Sequence, residues 1–424
     1  MYYPRKGNEK EKPMRFIPLT LALFALAAPV AADEIGERLV HVLESGEAGA
    51  SAAAFAEACA ADAPEACFAA GLTGLVGGVE RFSQGLYRHG AMAPRMPAAA
   101  MMLGIDPAMV SAPPNPHPEP LDYAGLRALL EDFIVTLDTA RAHFEIAAQQ
   151  GDYVLPIDPM AVRFDINGDG RVDEAETLAF FFTALLDFDE MPAEGADTHI
   201  GFDRADAWWF AGYTQIVAAP VDFLLAHDFS AFFEAVMHRV FPRAGLPMQD
   251  YVAGGALVMD AESDAFIADV IAAIHTADFP VADPARLSGV RERLKSITRL
   301  SRSNWQAILA ETDDDRELVP SPSQTSLMPG QSVTQEVVDA WLAALDSVDA
   351  LLDGDLLVPH WRFRQGFDLR AYFETATETD IVMLLAGQGA LPFLADGPIA
   401  DADSFAAANA VFGDDWPIFA LWFN

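Results

Sequence analysis

Between Asp165 and Glu176 the chain reads Asp165-Ile166-Asn167-Gly168-Asp169-Gly170-Arg171-Val172-Asp173-Glu174-Ala175-Glu176. Oxygen-bearing side chains stand at the first, third, fifth, ninth and twelfth places of this twelve-residue run, and glycine stands at the sixth. Two chemistries compete for such a stretch. An acidic surface turn shares its composition, in a chain already rich in aspartate. A hard cation of calcium's size needs more than composition, because it takes six to eight oxygens at flexible distances. The spacing here answers the second need, and Gly170 permits the left-handed backbone of a sharply turned loop.

The stretch resembles the EF-hand calcium loop at every defining position, over a dozen of the 424 residues. The resemblance implies Ca2+ as the cofactor. It implies that Asp165, Asn167 and Asp169 offer side-chain oxygens, Arg171 its backbone carbonyl and Asp173 a contact through water. Glu176 would close the shell with both carboxylate oxygens. Val172 takes the apolar eighth place, where such loops pair edge to edge. The flanks depart from the family, which sets a helix on each side of the loop. Glu174 to Phe188 qualifies as the outgoing helix, with Leu178, Phe181, Phe182 and Leu185 at helical spacing. On the incoming side Pro156 and Pro159 leave room for about one and a half turns after Asp158 as N-cap. The expectation is a single half-hand of the dockerin type. Asp260-Ala261-Glu262-Ser263-Asp264 lacks the glycine and the closing carboxylate, and reads as a capped helix start.

The elements around this loop are expected to be helices. An apolar fraction of 52 % excludes disorder, and no long segment alternates with period two, so the fold class is mostly α with little or no sheet. Residues 1–32 read as a secretory signal: Met14-Arg15, an apolar run from Phe16 to Val30, and small residues up to Ala32. Met14 offers a second start. That run is shorter than the roughly 20 residues of a bilayer span, and the absence of a following cysteine speaks against a lipid anchor. A periplasmic or secreted location follows, with no stable membrane span after cleavage. Cys59 and Cys67 then form a disulfide, which requires a turn at Asp62-Ala63-Pro64, since eight residues of one helix span about 12 Å.

The formal net charge is -37. Residues 1–32 hold five Lys/Arg and two Asp/Glu, so the remainder carries 21 positive against 61 negative groups, or -40. Nucleic acid and anionic lipid are excluded as favourable partners, and cations or a basic protein are favoured. An N-terminal helical region, 33–111, contains glycines at 71, 74, 77 and 78 that suit close helix packing. A proline-rich connector, 112–120, separates it from a central helical region, 121–318. There Asp122 to Gln150 forms the clearest helix, with Gly151 as its C-cap. Asp203 to Ala226 reads as a buried helix. Arg286 to Leu309 is a basic stretch that either pairs with this chain's acids or contacts an anion. A second connector, 319–330, leads to a C-terminal helical region, 331–424, whose closing aromatics should dock on the core.

No catalytic signature stands out. The nine histidines include no HExxH pair, and neither GxSxG nor a P-loop occurs. Gly387-Gln388-Gly389 reads as a loop. His360, Arg362 and Arg364 could hold a carboxylate or phosphate, or form a structural knot. Two function classes remain. One is an exported calcium-binding module, in which the ion fixes a loop and stabilises the fold. The other is a periplasmic, hydrolase-like enzyme with a structural calcium, marked by charged groups converging on a cavity away from 165–176.

Overall fold

The computed structural model describes residues 34–60, 63–93, 114–180, 195–248, 255–327, 332–413 and 416–423. The expected signal, residues 1–32, lies outside them. Helices dominate, and among the described residues the sheet is confined to two-stranded antiparallel pairs. The mostly α expectation holds. No helix among the described residues is long and apolar enough to cross a membrane.

The N-terminal region contributes α1 (Glu34–Ser45), α2 (Ala48–Cys59) and α3 (Pro64–Arg88). The Cys59–Cys67 disulfide forms across the break between α2 and α3, where Pro64 sits in the first turn of the new helix. A long α4 (Tyr123–Ala147) packs along α3. Their close approach follows from glycines seven apart on α3: side chains at 71, 78 and 85 would collide with Phe144, Thr136 and Leu129 of α4. Gly77 does the same toward α2, resting on the backbone of Gly49. Asp122 caps α4, as its sequence suggests, but the helix stops at Ala147 rather than Gln150. Ala148 and Gln149 tighten the last turn, and Gly151 takes its positive φ of 110° beyond it, against Pro64.

The next layer is α5 (Arg204–Ala226), which follows the small β1 (Leu155–Ile157) and β2 (Ile200–Phe202) pair and packs on α4. A short α6 (Ser230–Val236) and a peripheral α7 (Ala261–Thr276) lead through β3 (Asp278–Pro280) to α8 (Pro284–Ile308). The basic residues of α8 are committed internally. Arg286 binds Asp222 and both oxygens of Glu131, Arg293 bridges Asp138, Asp222 and Gln215, and Arg291 with Lys295 holds Asp353. The first of the two readings of that stretch is the observed one, and it ties α8 to α4, α5 and α9 (Gln335–Asp353). The terminal helix Trp416–Phe423 docks: Phe423 is buried among Trp305, Trp341 and Phe412.

The described part of the proline-rich stretch is pinned to the body. Asn115 donates to the carbonyls of Tyr87 and Arg88, and Leu121 donates to that of Ala244. One apolar core runs from α1 through α4 to Phe202 and Ala211 without regard to the expected regional boundaries.

Candidate cation loop

The loop is built by its own side chains. One Asp165 oxygen accepts the Gly168 N–H at 2.6 Å and the other accepts the Gly170 N–H at 2.9 Å. Asn167 accepts from Asp169 and Asp169 from Arg171, each at 2.8 Å. These short-range bonds are what aspartate and asparagine offer a backbone that leaves regular structure. Gly168 and Gly170 carry φ of 76° and 75°, the left-handed turns that only glycine takes without strain. Asp173 then caps a single 3-10 turn, Glu174–Glu176, by accepting from Ala175.

Glu176 closes the loop. Its Oε2 accepts the Asp173 N–H and its Oε1 the Ile166 N–H, both at 3.0 Å. The side chain is buried, and burial holds its carboxyl above the usual range, with Asp173 and Asp165 adding repulsion. A second carboxylate comes from outside the run: Glu80 of α3 accepts the Asp165 N–H at 3.0 Å. Burial raises the Glu80 carboxyl too, and Asp165 adds to it. Gln84, one turn further along α3, donates to the Asp165 carbonyl at 2.7 Å. Spacing within the loop could not reveal these two. A polar pair four residues apart, at the end of a long apolar and glycine-rich run, was the available signal.

The flanks differ from the expected half-hand. Asp158 does cap a turn, the 3-10 segment Pro159–Ala161, by accepting from Met160. On the outgoing side Glu174 to Phe188 is not one helix. Thr177 is extended (φ -113°, ψ 150°) and bridges Arg163 across the loop's ends, before helix resumes at Leu178. The cause is backbone pairing: Phe164 donates to the Glu176 carbonyl and Leu178 to that of Val162. Residues 181–188 of the expected helix lie outside the described residues. Val172 packs on Gly46, in the turn between α1 and α2, while Arg163 donates to the Leu43 carbonyl. The α1–α2 corner is therefore the neighbour on which the loop rests.

Asp165, Asn167, Asp169, Arg171, Asp173 and Glu176 are thus gathered in one compact turn. Among the described residues, no group of three or more His, Cys, Asp or Glu side chains stands together as a metal cage. The carboxylates are turned onto loop amides, and ligation would use their remaining lone pairs with the Asn167 amide and the Arg171 carbonyl. A dication would offset the mutual repulsion of Glu80, Asp165, Asp173 and Glu176. Behind the loop lies an apolar cavity of about 400 Å³, lined by Leu72, Val76 and Val79 of α3, Phe164 just before the loop, Ile166 within it, and Leu178.

The other candidates have structural partners. His360 Nε2 meets the Leu384 carbonyl, and Arg362 donates to that of Ala386. Both close the C-terminus of a short helix, Ile381–Ala386, whose left-handed cap is Gly387 of the lone GxG. Among the described residues, no hydrogen bond or ion pair joins Arg364 to them. Asp260 caps α7, as expected of that stretch, by accepting from Glu262 and Ser263.

A buried acid cluster was not foreseen. Asp203 and Asp206 at the head of α5 face Glu311 and Glu317 from the segment after α8. Burial, reinforced by Asp203, pushes the Glu311 carboxyl up to about 8 and that of Glu317 up to about 7. Glu311 Oε2 accepts from Gln324, while its buried Oε1 has no hydrogen-bond partner among the described residues. Such a cluster holds protons at neutral pH. No protein-family model, curated protein or solved structure matches the chain.

Proposed function

We propose that this is an exported calcium-binding helical protein, in which one ion fixes the 165–176 loop and stabilises the fold, acting as a binding or structural module. The observation that supports it is the loop's seating. Glu80 and Gln84 hold its first residue on α3, and Val172 presses on the α1–α2 corner. An ion that orders the loop would therefore brace three helices at once. The signal-like N-terminus supports export, and the charge of -37 supports cations and a basic protein as partners. The hydrolase-like alternative calls for charged groups around a cavity remote from the loop. The cavity behind the loop is apolar and adjoins it, so it is not the cavity that this alternative calls for.

Extracellular calcium loops work with Kd of roughly 0.1–1 mM. About 10 mM calcium acting on a Kd of roughly 0.1 mM would stabilise the fold by about 2.7 kcal/mol. The test is a thermal melt of the purified protein in calcium, magnesium or chelator, beside Glu176→Gln. The expected result is a rise of several degrees in calcium alone, with the variant needing at least about ten times more calcium. Identical melting in calcium and chelator, or an unchanged titration in the variant, would overturn the proposal.

A further inference from the structure

Helix α7 joins the body through a polar clasp at Asp269, flanked by Ala273 and the half-buried Phe266 and Val270, and turns its isoleucines outward. Its buried residues are Asp269 and Ala273. Asp269 bonds the Arg239 guanidinium and lies 3.2 Å from His238 Nε2. On another face Ile267, Ile271 and Ile274 are 46 %, 52 % and 51 % exposed. Spaced i, i+4 and i+7, they form one stripe.

Asp264 continues that stripe by one turn, and its carboxylate organises the chain ahead of the helix. It accepts the N–H groups of Leu257 at 2.6 Å, Val258 at 2.9 Å and Met259 at 3.2 Å. Three consecutive apolar residues are thereby pinned at the head of the stripe, where Leu257 and Val258 are 88 % and 81 % exposed. Soluble monomers seldom leave a contiguous apolar patch of more than a few hundred Å² open. Random exposure would scatter such side chains, whereas here a carboxylate fixes their backbone.

Charge decides between occupants. From Gly255 to Ala285 the chain contains Asp260, Glu262, Asp264, Asp269, Asp278 and Asp283, and no lysine or arginine. Only Asp269 is matched within the clasp by a cation. A second copy related by a two-fold axis would bring the same acids against themselves, and an anionic bilayer would be repelled. A cationic partner gains from the exposed acids at the head of the helix, Asp260 and Glu262.

We propose that the surface formed by Leu257–Met259 and the Ile267, Ile271, Ile274 stripe binds a basic amphipathic helix of a partner protein. Apolar side chains of that helix lie along the isoleucines, and its lysines or arginines meet Asp260 and Glu262. The proposal is independent of the calcium reading.

The experiment titrates the whole protein into a labelled synthetic helix of leucine and lysine, read by fluorescence anisotropy. A leucine and glutamate helix is the control. Two variants are compared, Ile267→Ser/Ile271→Ser/Ile274→Ser and Leu257→Ser/Val258→Ser, and retention of fold is checked by their melting curves. The expected result is binding of the lysine helix alone, weakened at least about tenfold in either variant and weakened further by salt. Equal binding to folded variants and parent would overturn the proposal, since net charge alone would then explain the attraction. So would a dimer that sediments in the parent and dissociates in the isoleucine variant. Flotation of the parent with phosphatidylcholine vesicles, lost in that variant, would also overturn it by making lipid the occupant.

Discussion

Glu80 stands 85 residues before Asp165, yet it accepts the first amide of the loop. Because Glu80 belongs to none of the expected ligand positions, Glu80→Gln separates support from ligation. An amide oxygen still accepts the Asp165 N–H but carries no charge, so the expected outcome is a modest fall in calcium affinity, within about tenfold, while the calcium-free protein loses both the carboxylate repulsion and the bond from Gly49 and melts close to the parent. Calorimetric titration and melting in chelator measure the two. Glu311 supports a pH prediction. Its carboxyl titrates at about 8 in the folded protein against roughly 4.3 when unfolded, and Glu317 is raised to about 7. The native state therefore binds more protons than the unfolded state between those limits. Stability present below about pH 4.3 is lost as pH rises through 7 and 8. Melting temperature should fall from pH 5.5 to 8.5, and Glu311→Gln should flatten that slope. The loop's own turns were legible because aspartate, asparagine and glycine at short spacing bind neighbouring amides. Glu80 and the acid cluster were not, because residues far apart in sequence create them by packing.

Helix α3 shows how an element can be read and still surprise. Glycines at 71, 77 and 78 were expected to allow close packing, and each meets a neighbouring helix; Gly74, in the same set, has ordinary room. Gly85 completes the seven-residue series against Leu129. A Cβ at position 71 would lie 2.8 Å from the ring of the fully buried Phe144. Gly71→Ala is therefore expected to cost about 1–3 kcal/mol by overpacking, although alanine is the better helix former. Chemical denaturation would show the loss as a lower midpoint at unchanged slope. The outgoing loop helix was expected to begin at Glu174 and begins at Leu178 instead, for a related reason. Leu178, Phe181 and Phe182 have helical spacing, but Thr177 is drawn into backbone pairing with Arg163, and local periodicity carries no information about a strand-like partner.

For the whole molecule, composition was a good guide to class. The proline-rich stretch looks like a boundary, yet Asn115 and Leu121 tie it to α3 and to Ala244. Similarly, the basic run of α8 is spent on Glu131, Asp138, Asp222 and Asp353. With those cations engaged, the charge of -37 remains as self-repulsion spread over the surface. Sodium chloride raised from low concentration to about 0.3 M should screen it and raise the melting temperature by a few degrees. Calcium should then add its own increment at matched ionic strength, which magnesium does not reproduce.

The contact of Val172 with Gly46 also bears on the order of assembly. The corner between the first two helices finds its seat only after the chain has passed through α3 and α4 and reached the cation loop. The α3–α4 hairpin can close early from neighbouring segments, whereas α1 must wait for a distant one. Amide exchange would then report α1 and the loop opening together, with protection that follows the calcium supply, while the hairpin behind them stays shut.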